Sequence, residues 1–340
     1  MWIPRPVSTF EMHYDVVILG SLQDPHVSSV TRHLHAGGIR TICVDQIDLW
    51  RDTVTFRPDR PHLRVGDKCI SSASLVWNRR AYPTLIEFMS KGDKKFARDE
   101  FSHSLFGSLR ALSQTWFNSP ESIRHASYKV AQLSWASRDG RLRMPRSIIT
   151  SNEADAKAFL DSASAQCVIK PLYMPIIEGE SSFERMYTSC VDSKIVDNIA
   201  DIKNSPCILQ DFIERRCDVR LNIIGSDTFA TRMETRHIAK ATYDGRNVDD
   251  YHNILPIDPP DDIVDACIDM CAHFGLRFAA FDFAMDNQNQ WFFLEINPNG
   301  QWYWIEEMTG QPLSQAMAGE IRRQLQLSAL PASRSEPGPP

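Results

Sequence analysis

The densest chemistry in the chain lies in residues 277–300, RFAAFDFAMDNQNQWFFLEINPNG. Apolar and polar residues alternate on both sides of the polar segment 287–290, the pattern of two antiparallel strands joined by a hairpin loop. With those four residues as the loop, Asp286 pairs with Trp291, Ala284 with Phe293 and Asp282 with Glu295. On the other face Phe281 pairs with Ile296, Phe283 with Leu294 and Met285 with Phe292. That second face is apolar throughout and belongs to a core. The first sets the Asp282 and Glu295 carboxylates side by side, with Cβ atoms about 4.5–5.5 Å apart, and Asn297 two residues further along. Like charges so close need something positive between them. Oxygen donors of this kind suit Mg²⁺ with phosphate oxygens completing its shell. A proton shared by the two acids, or solvated acids on an open sheet face, satisfies the same spacing.

A polyphosphate would also need cations, and the chain has no GxxxxGK[ST] phosphate loop to supply them. Lys170 ends an apolar run, CVIK, directly before Pro171, where a side chain points from the end of a sheet. Lys129 stands at the start of a helix, in Tyr128-Lys129-Val130. Either lysine alone reads as a solvated surface charge. Their order gives them weight: Lys129, Lys170, a strand with a polar exit at Gln210-Asp211, and then the acidic hairpin.

The elements that must position these residues follow from composition and pattern. The chain of 340 residues, 43% hydrophobic and 24% charged, is long enough for two to three domains with cores of their own, and no run is apolar enough to span a bilayer. A net charge of −6 argues against a general nucleic-acid binder. The eight cysteines are scattered, and no basic-then-apolar leader precedes them, which places the chain in a reducing cytoplasm. Cys267 and Cys271 share a helix face without a second ligand pair and read as small core residues.

Residues 14–19, 27–36 and 39–44 read as strand, helix and strand, the order of a parallel unit. No GxGxxG follows the first strand, so a dinucleotide site is unsupported. A third strand covers 73–77, and a helical pattern runs from Phe96 to Trp116. Asn118-Ser119-Pro120 breaks the chain there. Beyond it come a helix carrying Lys129, extended residues 145–150, a helix at 154–162, strands at 167–170, 207–210 and 219–224, and a helix from Asp261 to His273. The resulting fold class is α/β with α+β subdomains. The expected divisions are a flexible 1–12, domains at 13–118, 119–208 and 209–328, and a disordered tail at 329–340 that ends PASRSEPGPP.

On these residues the sequence resembles an ATP-grasp ligase, and more narrowly the microviridin-type, or graspetide, peptide maturases. The narrow resemblance rests chiefly on Phe293-Leu294-Glu295-Ile296-Asn297-Pro298-Asn299-Gly300-Gln301-Trp302, continued in Trp304-Ile305-Glu306-Glu307 and Thr309-Gly310. Similar pieces recur in Val76-Trp77-Asn78-Arg79-Arg80, Trp116-Phe117-Asn118, Tyr128-Lys129 with Gln132-Leu133, Pro145 with Thr150 and Asn152, Ile169-Lys170-Pro171, Gln210-Asp211-Phe212-Ile213 and Asp218-Val219-Arg220. The resemblance implies an ATP-grasp fold behind an N-terminal pre-ATP-grasp α/β domain. It implies that Lys129 and Lys170 contact the phosphates of ATP, that Gln210, Asp211, Phe212 and Ile213 form the hinge against the adenine, and that Asp218 belongs to the nucleotide site. Asp282, Glu295 and Asn297 would hold Mg²⁺, with Arg220 and Arg246 at the reacting acyl group.

Two departures stand out. Relatives carry Asp-Trp-Arg ahead of Leu-Pro where this chain has Asp244-Gly245-Arg246 before Leu255-Pro256, and residues 178–182 (EGESS) replace a glycine-rich flap.

By resemblance the activity is ATP-dependent macrocyclisation of a ribosomal precursor peptide, with leader and core, in which an Asp or Glu side chain is phosphorylated and then attacked by Ser, Thr or Lys. A ligase joining an amino acid or amine to a peptide or small acid would use the same ATP site. A scaffold that binds ATP without turnover is a third alternative. The leader is expected to dock at about residues 184–201, where a helix would set Asp192, Asp197 and Asp201 beside Ile195, Val196 and Ile199. The same pattern fits a helix packed on its own domain. No nucleic acid or membrane partner is expected, and relatives make a homodimer the default.

Overall fold

The structure, a computed structural model, describes residues 13–45, 53–79, 91–113, 115–173, 176–178, 183–185, 188–235 and 251–329. The chain divides into two compact units, one of Met1–Ser119 with Pro312–Pro340 and one of Pro120–Gln311.

In the first unit β1 (His13–Leu19), α1 (Pro25–Ala36) and β2 (Thr41–Val44) form the parallel unit expected from the sequence. Val16, Val17 and Ile18 are fully buried, as in a strand covered on both faces. Helix α1 starts where the Asp24 carboxylate accepts the amide of His26 at 2.9 Å and Pro25 opens the first turn. Three short strands follow as a meander: β3 (Val54–Phe56), β4 (Leu63–Val65) and β5 (Lys68–Ile70). Next come β6 (Ser72–Asn78), α2 (Lys91–Leu112) and β7 (Trp116–Phe117).

The parallel sheet runs β2-β1-β6-β7. The helical pattern that the sequence carries to Trp116 therefore ends early. Ser113 turns the chain through bonds between its hydroxyl and Thr115, and the aromatic pair joins β6 as an edge strand, Val76 opposite Trp116 and Trp77 opposite Phe117.

The second unit opens with α3 (Pro120–Ser127), α4 (Lys129–Asp139), β8 (Ser147–Thr150), α5 (Glu153–Asp161) and β9 (Cys167–Lys170). There follow a hairpin of β10 (Ile176–Glu178) and β11 (Phe183–Arg185), then β12 (Ser189–Cys190), α6 (Ser193–Asp197), a 3₁₀ turn (Ile199–Asn204) and β13 (Cys207–Asp211). Strands β12-β9-β13-β8 make an antiparallel sheet. All of β13 lies in it, so the sheet extends past residue 208. Phe159, Ile199, Ile202 and Leu209 form its core.

The second sheet of this unit, in the order β16-β15-β14-β17-β18, is built from β14 (Arg215–Ile224), β15 (Asp227–Thr235), β16 (Tyr251–Ile257), β17 (Phe278–Asp286) and β18 (Trp291–Asn297). Helix α7 (Asp261–Phe274) covers its apolar face with α4, and Cys267 and Cys271 are buried there as free thiols. Gly275 ends α7 at φ +68, where a Cβ would come within 2.9 Å of the Ser122 hydroxyl. The short α8 (Tyr303–Thr309) closes the unit. Helix α9 (Leu313–Ala329), which follows α8, packs against α1 in the first unit, with Leu313, Met317 and Ile321 buried.

The hairpin register differs from the simple reading in its outer half. Asp282 faces Glu295 and Phe281 faces Ile296 as expected, but Phe283 pairs with Phe293, Ala284 with Phe292 and Met285 with Trp291. Leu294 is an extra residue in β18, a bulge. The turn is tighter as well, because the Asp286 carboxylate accepts the amides of Gln288 and Gln290. The bulge brings Trp291 and Phe293 onto the core face with Phe281, Phe283, Met285 and Ile296, in place of Phe292 and Leu294.

Candidate active site

Residues paired directly across antiparallel strands project to the same face. Arg220 on β14 faces Asp282 on β17, which faces Glu295 on the edge strand β18. Behind this row Leu221, Phe281 and Ile296 close the core. Helix α4 lies beyond the edge strand and brings Lys129 at its first residue to Glu295. The four charges thus run in the order cation, acid, acid, cation.

Arg220 forks onto Asp282 through Nε at 2.8 Å and Nη2 at 3.1 Å, and its Nη1 donates to the Gln301 carbonyl at 3.1 Å. Lys129 Nζ stands 2.8 Å from Glu295 Oε2. Burial pushes the Asp282 carboxyl above the usual carboxylate range; the Arg220 charge and hydrogen bond oppose that rise, and the charges of Glu295 and Asp218 add to it. Asp218, on the same face of β14, is buried against Arg215 at 2.9 Å. Asn297 lies opposite Ala280 at the exposed end of β18, with its side-chain oxygen accepting the Asn299 amide at 3.0 Å. Gly300 sits over Ala280, since a Cβ at Gly300 would meet the Ala280 Cβ at 2.5 Å.

Two carboxylates and an amide oxygen are hard donors that fit Mg²⁺, which takes few protein ligands and completes its octahedron with phosphate and water. A carboxylate pair that already draws a cation to each member is consistent with that donor set. Among the described residues no three His, Cys, Asp or Glu side chains group around one point, so the shell would depend on oxygens beyond these acids.

Lys170 stands at the end of β9, where its Nζ donates to Gln210 Oε1 at 2.7 Å; the Gln210 Nε2 donates to the Ser147 hydroxyl at 2.8 Å. Gln210 is buried, so its side chain holds Lys170. Arg146 forks onto the Asp211 carboxylate, and the Asp211 and Phe212 amides donate to the carbonyls of Arg146 and Gln166. These bonds fasten the segment that leads to Ile213.

Arg246 lies outside the described residues, as does 179–182 of the replaced flap. In place of the expected helix over 184–201 the described residues hold the end of β11, β12, the five-residue α6 and the start of the 3₁₀ turn. Asp192 caps α6 by accepting the Ile195 amide at 2.9 Å, and Ile199 is buried in the core. Asp197, Asp201 and Val196 are exposed.

Ser147 escaped the sequence reading, while Gln301 and Gln132 stood in its motifs without a role. The signal for Gln132 is its place three positions after Lys129 on the same helix face.

No protein-family model matches the chain, and no curated protein matches it. Solved structures do. The macrocyclase MdnC from Microcystis aeruginosa MRC, bound with precursor peptide MdnA, superposes with a TM-score of 0.79 at 24% identity, over 91% of this chain and 99% of that one. A RiPP-associated ATP-grasp ligase of Chryseobacterium gregarium, in complex with ADP and a leader and core peptide, gives 0.80 at 21% identity over 91% and 96%. The ATP-grasp ligase PsnB, complexed with minimal precursor, Mg and ADP, gives 0.69 at 21% identity over 92% and 98%. The chain has the ATP-grasp fold over nearly the full length of each.

Proposed function

We propose that the protein is an ATP- and Mg²⁺-dependent peptide macrocyclase that condenses Asp or Glu side chains of a ribosomal precursor peptide with Ser or Thr hydroxyls, or Lys amines, of the same peptide. The observation that carries this reading is the row Arg220, Asp282, Glu295, Lys129 across four elements of an ATP-grasp fold. The neighbours of this fold bind precursor peptide, ADP and Mg.

A carboxylate does not condense with a hydroxyl unaided. Its oxygen attacks the γ-phosphorus of ATP, ADP leaves, and the acyl-phosphate then yields phosphate when the hydroxyl or amine attacks. One water is lost per ring. In this chain Lys129 and Lys170 bind and orient the phosphates, Asp282, Glu295 and Asn297 hold the metal, and Arg220 faces the acyl-phosphate. Magnesium supplies neutralisation of the charge spread over the transferring phosphoryl group.

Lys129 stands at a helix N-terminus, where a cation opposes the helix dipole. Glu295 offsets that cost in the ligand-free protein, and phosphate takes over the role when nucleotide binds. Lys129 and Arg220 would turn to phosphate oxygens where Asp282 and Glu295 would hold the metal. The leader docks on the exposed Val196, Asp197 and Asp201.

Incubation with ATP, Mg²⁺ and a precursor peptide rich in Thr, Ser, Asp and Glu tests the reading by mass spectrometry. The expected result is ADP release with loss of one water per ring; ADP release without dehydrated peptide would overturn macrocyclisation.

A further inference from the structure

We infer that Gln132 is a positioning residue that sets the Lys129 helix against the edge strand of the acidic hairpin. The inference rests on the reading of Lys129 and Glu295 as nucleotide-site groups. β18 is the last strand of its sheet, and an edge strand leaves backbone donors and acceptors without a strand partner. At Ile296 one side chain takes both: the Ile296 amide donates to Gln132 Oε1 at 3.1 Å, and Gln132 Nε2 donates to the Ile296 carbonyl at 3.0 Å. The same Nε2 donates to the Ala126 carbonyl, in the last turn of α3, at 2.7 Å. One primary amide thus imitates a further strand and ties α3, α4 and β18 together. Its orientation is fixed by the partners, since an amide N–H requires the oxygen and a carbonyl requires the NH₂.

Gln132 is 2% exposed and lies among Ala126, Leu133, Ala136 and Ile296. An amide in such surroundings is costly unless bonded, so its presence fixes position more than it adds stability. The same edge strand shows a different solution at Phe293, whose amide donates to the backbone carbonyl of Arg143 at 2.8 Å. A side chain is needed at Ile296 because a helix stands there with its own carbonyls already bonded. Lys129 precedes Gln132 by three residues and so shares its face, and Ile296 adjoins Glu295. A slip of α4 by one residue, about 1.5 Å along its axis, would take Nζ out of bonding range of Glu295.

Gln132→Met keeps the length and removes all three hydrogen bonds. Calorimetric titration with Mg²⁺ and a non-hydrolysable ATP analogue, on the parent, Lys129→Ala, Gln132→Met and the double variant, decides the matter. The expected result is an affinity loss of about tenfold for Gln132→Met, the lower end of what outer-shell substitutions cost a metal site, and no further loss when it is added to Lys129→Ala. Faster hydrogen exchange at the Ile296 amide should accompany it. Equal losses in both backgrounds, or none in the parent, would overturn the positioning role and leave the nucleotide reading standing. Unchanged affinity in Lys129→Ala would sink that reading and the inference with it. If Gln132→Met does not fold, Gln132→Glu keeps the acceptor for the Ile296 amide, loses the Nε2 donors and is judged by the same cycle.

Discussion

Asp24, His26 and Arg79 in the first unit, and Arg220, Asp282, Glu295 and Lys129 in the second, are both networks of acids and bases attached to a sheet. They differ in what is left open. Arg79 and His26 are 2% and 6% exposed, His26 Nδ1 lies 2.6 Å from Asp24, and Arg79 Nε lies 3.6 Å from it; one carboxylate serves both bases, and burial closes the group off from solvent. In the second network two acids are adjacent, each with one cation, and the side chains keep from 18% to 31% of their surface accessible. Removing a carboxylate from the sealed network strands buried cations and costs stability. Removing one from the open network leaves the core face untouched and costs chemistry.

The largest expected effect is on the open side. Glu295→Gln keeps a hydrogen-bond acceptor for Lys129 and the packing of Phe281, Phe293 and Ile296, so the melting temperature should stay near that of the parent. ADP formation with a precursor peptide should fall about 100-fold, as for loss of a metal-site partner. A folded Glu295→Gln protein with parental turnover would remove the distinction between the two networks.

Next in size is Asp24→Asn. Burial raises the Asp24 pKa, but the His26 hydrogen bond and the Arg79 and His26 charges outweigh it and hold it down at about 2. A depressed carboxylate pKa adds stability above the unfolded value of about 4 and loses it as pH falls through the folded value. Chemical denaturation at pH 7 should find the variant about 2 kcal/mol less stable, with the gap closing between about pH 4 and pH 2. Its affinity for the ATP analogue should not change. A gap independent of pH would show that the sealed network stabilises through packing rather than charge.

What could be read in the sequence follows the range of the interactions. The acid pair was legible because Asp282 and Glu295 share one hairpin, and alternation fixes which residues face each other near the site. The outer pairs went astray because a bulge at Leu294 is set by the Asp286 turn and by the core beneath, which period-two counting does not see. The Lys170 strand was legible from CVIK-Pro, but its partner Gln210 was assigned to adenine: the bond that holds it on Lys170 joins residues 40 apart. Helix α9 has an ordinary amphipathic pattern, and nothing in it says that it packs on α1. The same limit hid Gln132, whose partner is 164 residues away.

The lysines sharpen the comparison within the open network. Lys129 is neutralised by Glu295, whereas Lys170 meets the neutral Gln210 amide. Binding of the ATP analogue must break an ion pair at Lys129 but a hydrogen bond to a neutral acceptor at Lys170, so Lys170 contributes more of its charge. Lys170→Ala should weaken binding by about tenfold, the scale of a charge-assisted hydrogen bond, and Lys129→Ala by less in the absence of Mg²⁺, where the ion pair is not displaced by metal. The exposed Lys203→Ala is the control. Equal losses at Lys170 and Lys129 without Mg²⁺ would mean that the ion pair exerts no hold.

The smallest expected effect lies outside both networks, on the exposed acids after β12. Asp192 is committed to capping α6 and Ile199 to the core, so a leader peptide docking here would meet Asp197, Asp201 and the Val196 side chain, which is 45% exposed. Such a surface suits a segment with basic residues beside an apolar one. Each exposed charge pair is worth at most about 1 kcal/mol, or roughly fivefold in affinity, and salt screens it. Asp197→Lys should therefore weaken binding of a labelled leader by about fivefold at low ionic strength. The loss should be smaller at 0.15 M salt, where the Debye length is about 8 Å, while affinity for the ATP analogue stays the same. Fluorescence anisotropy at two salt concentrations checks it. Superimposable curves for parent and variant would place the leader elsewhere and leave α6 as a helix packed on its own domain.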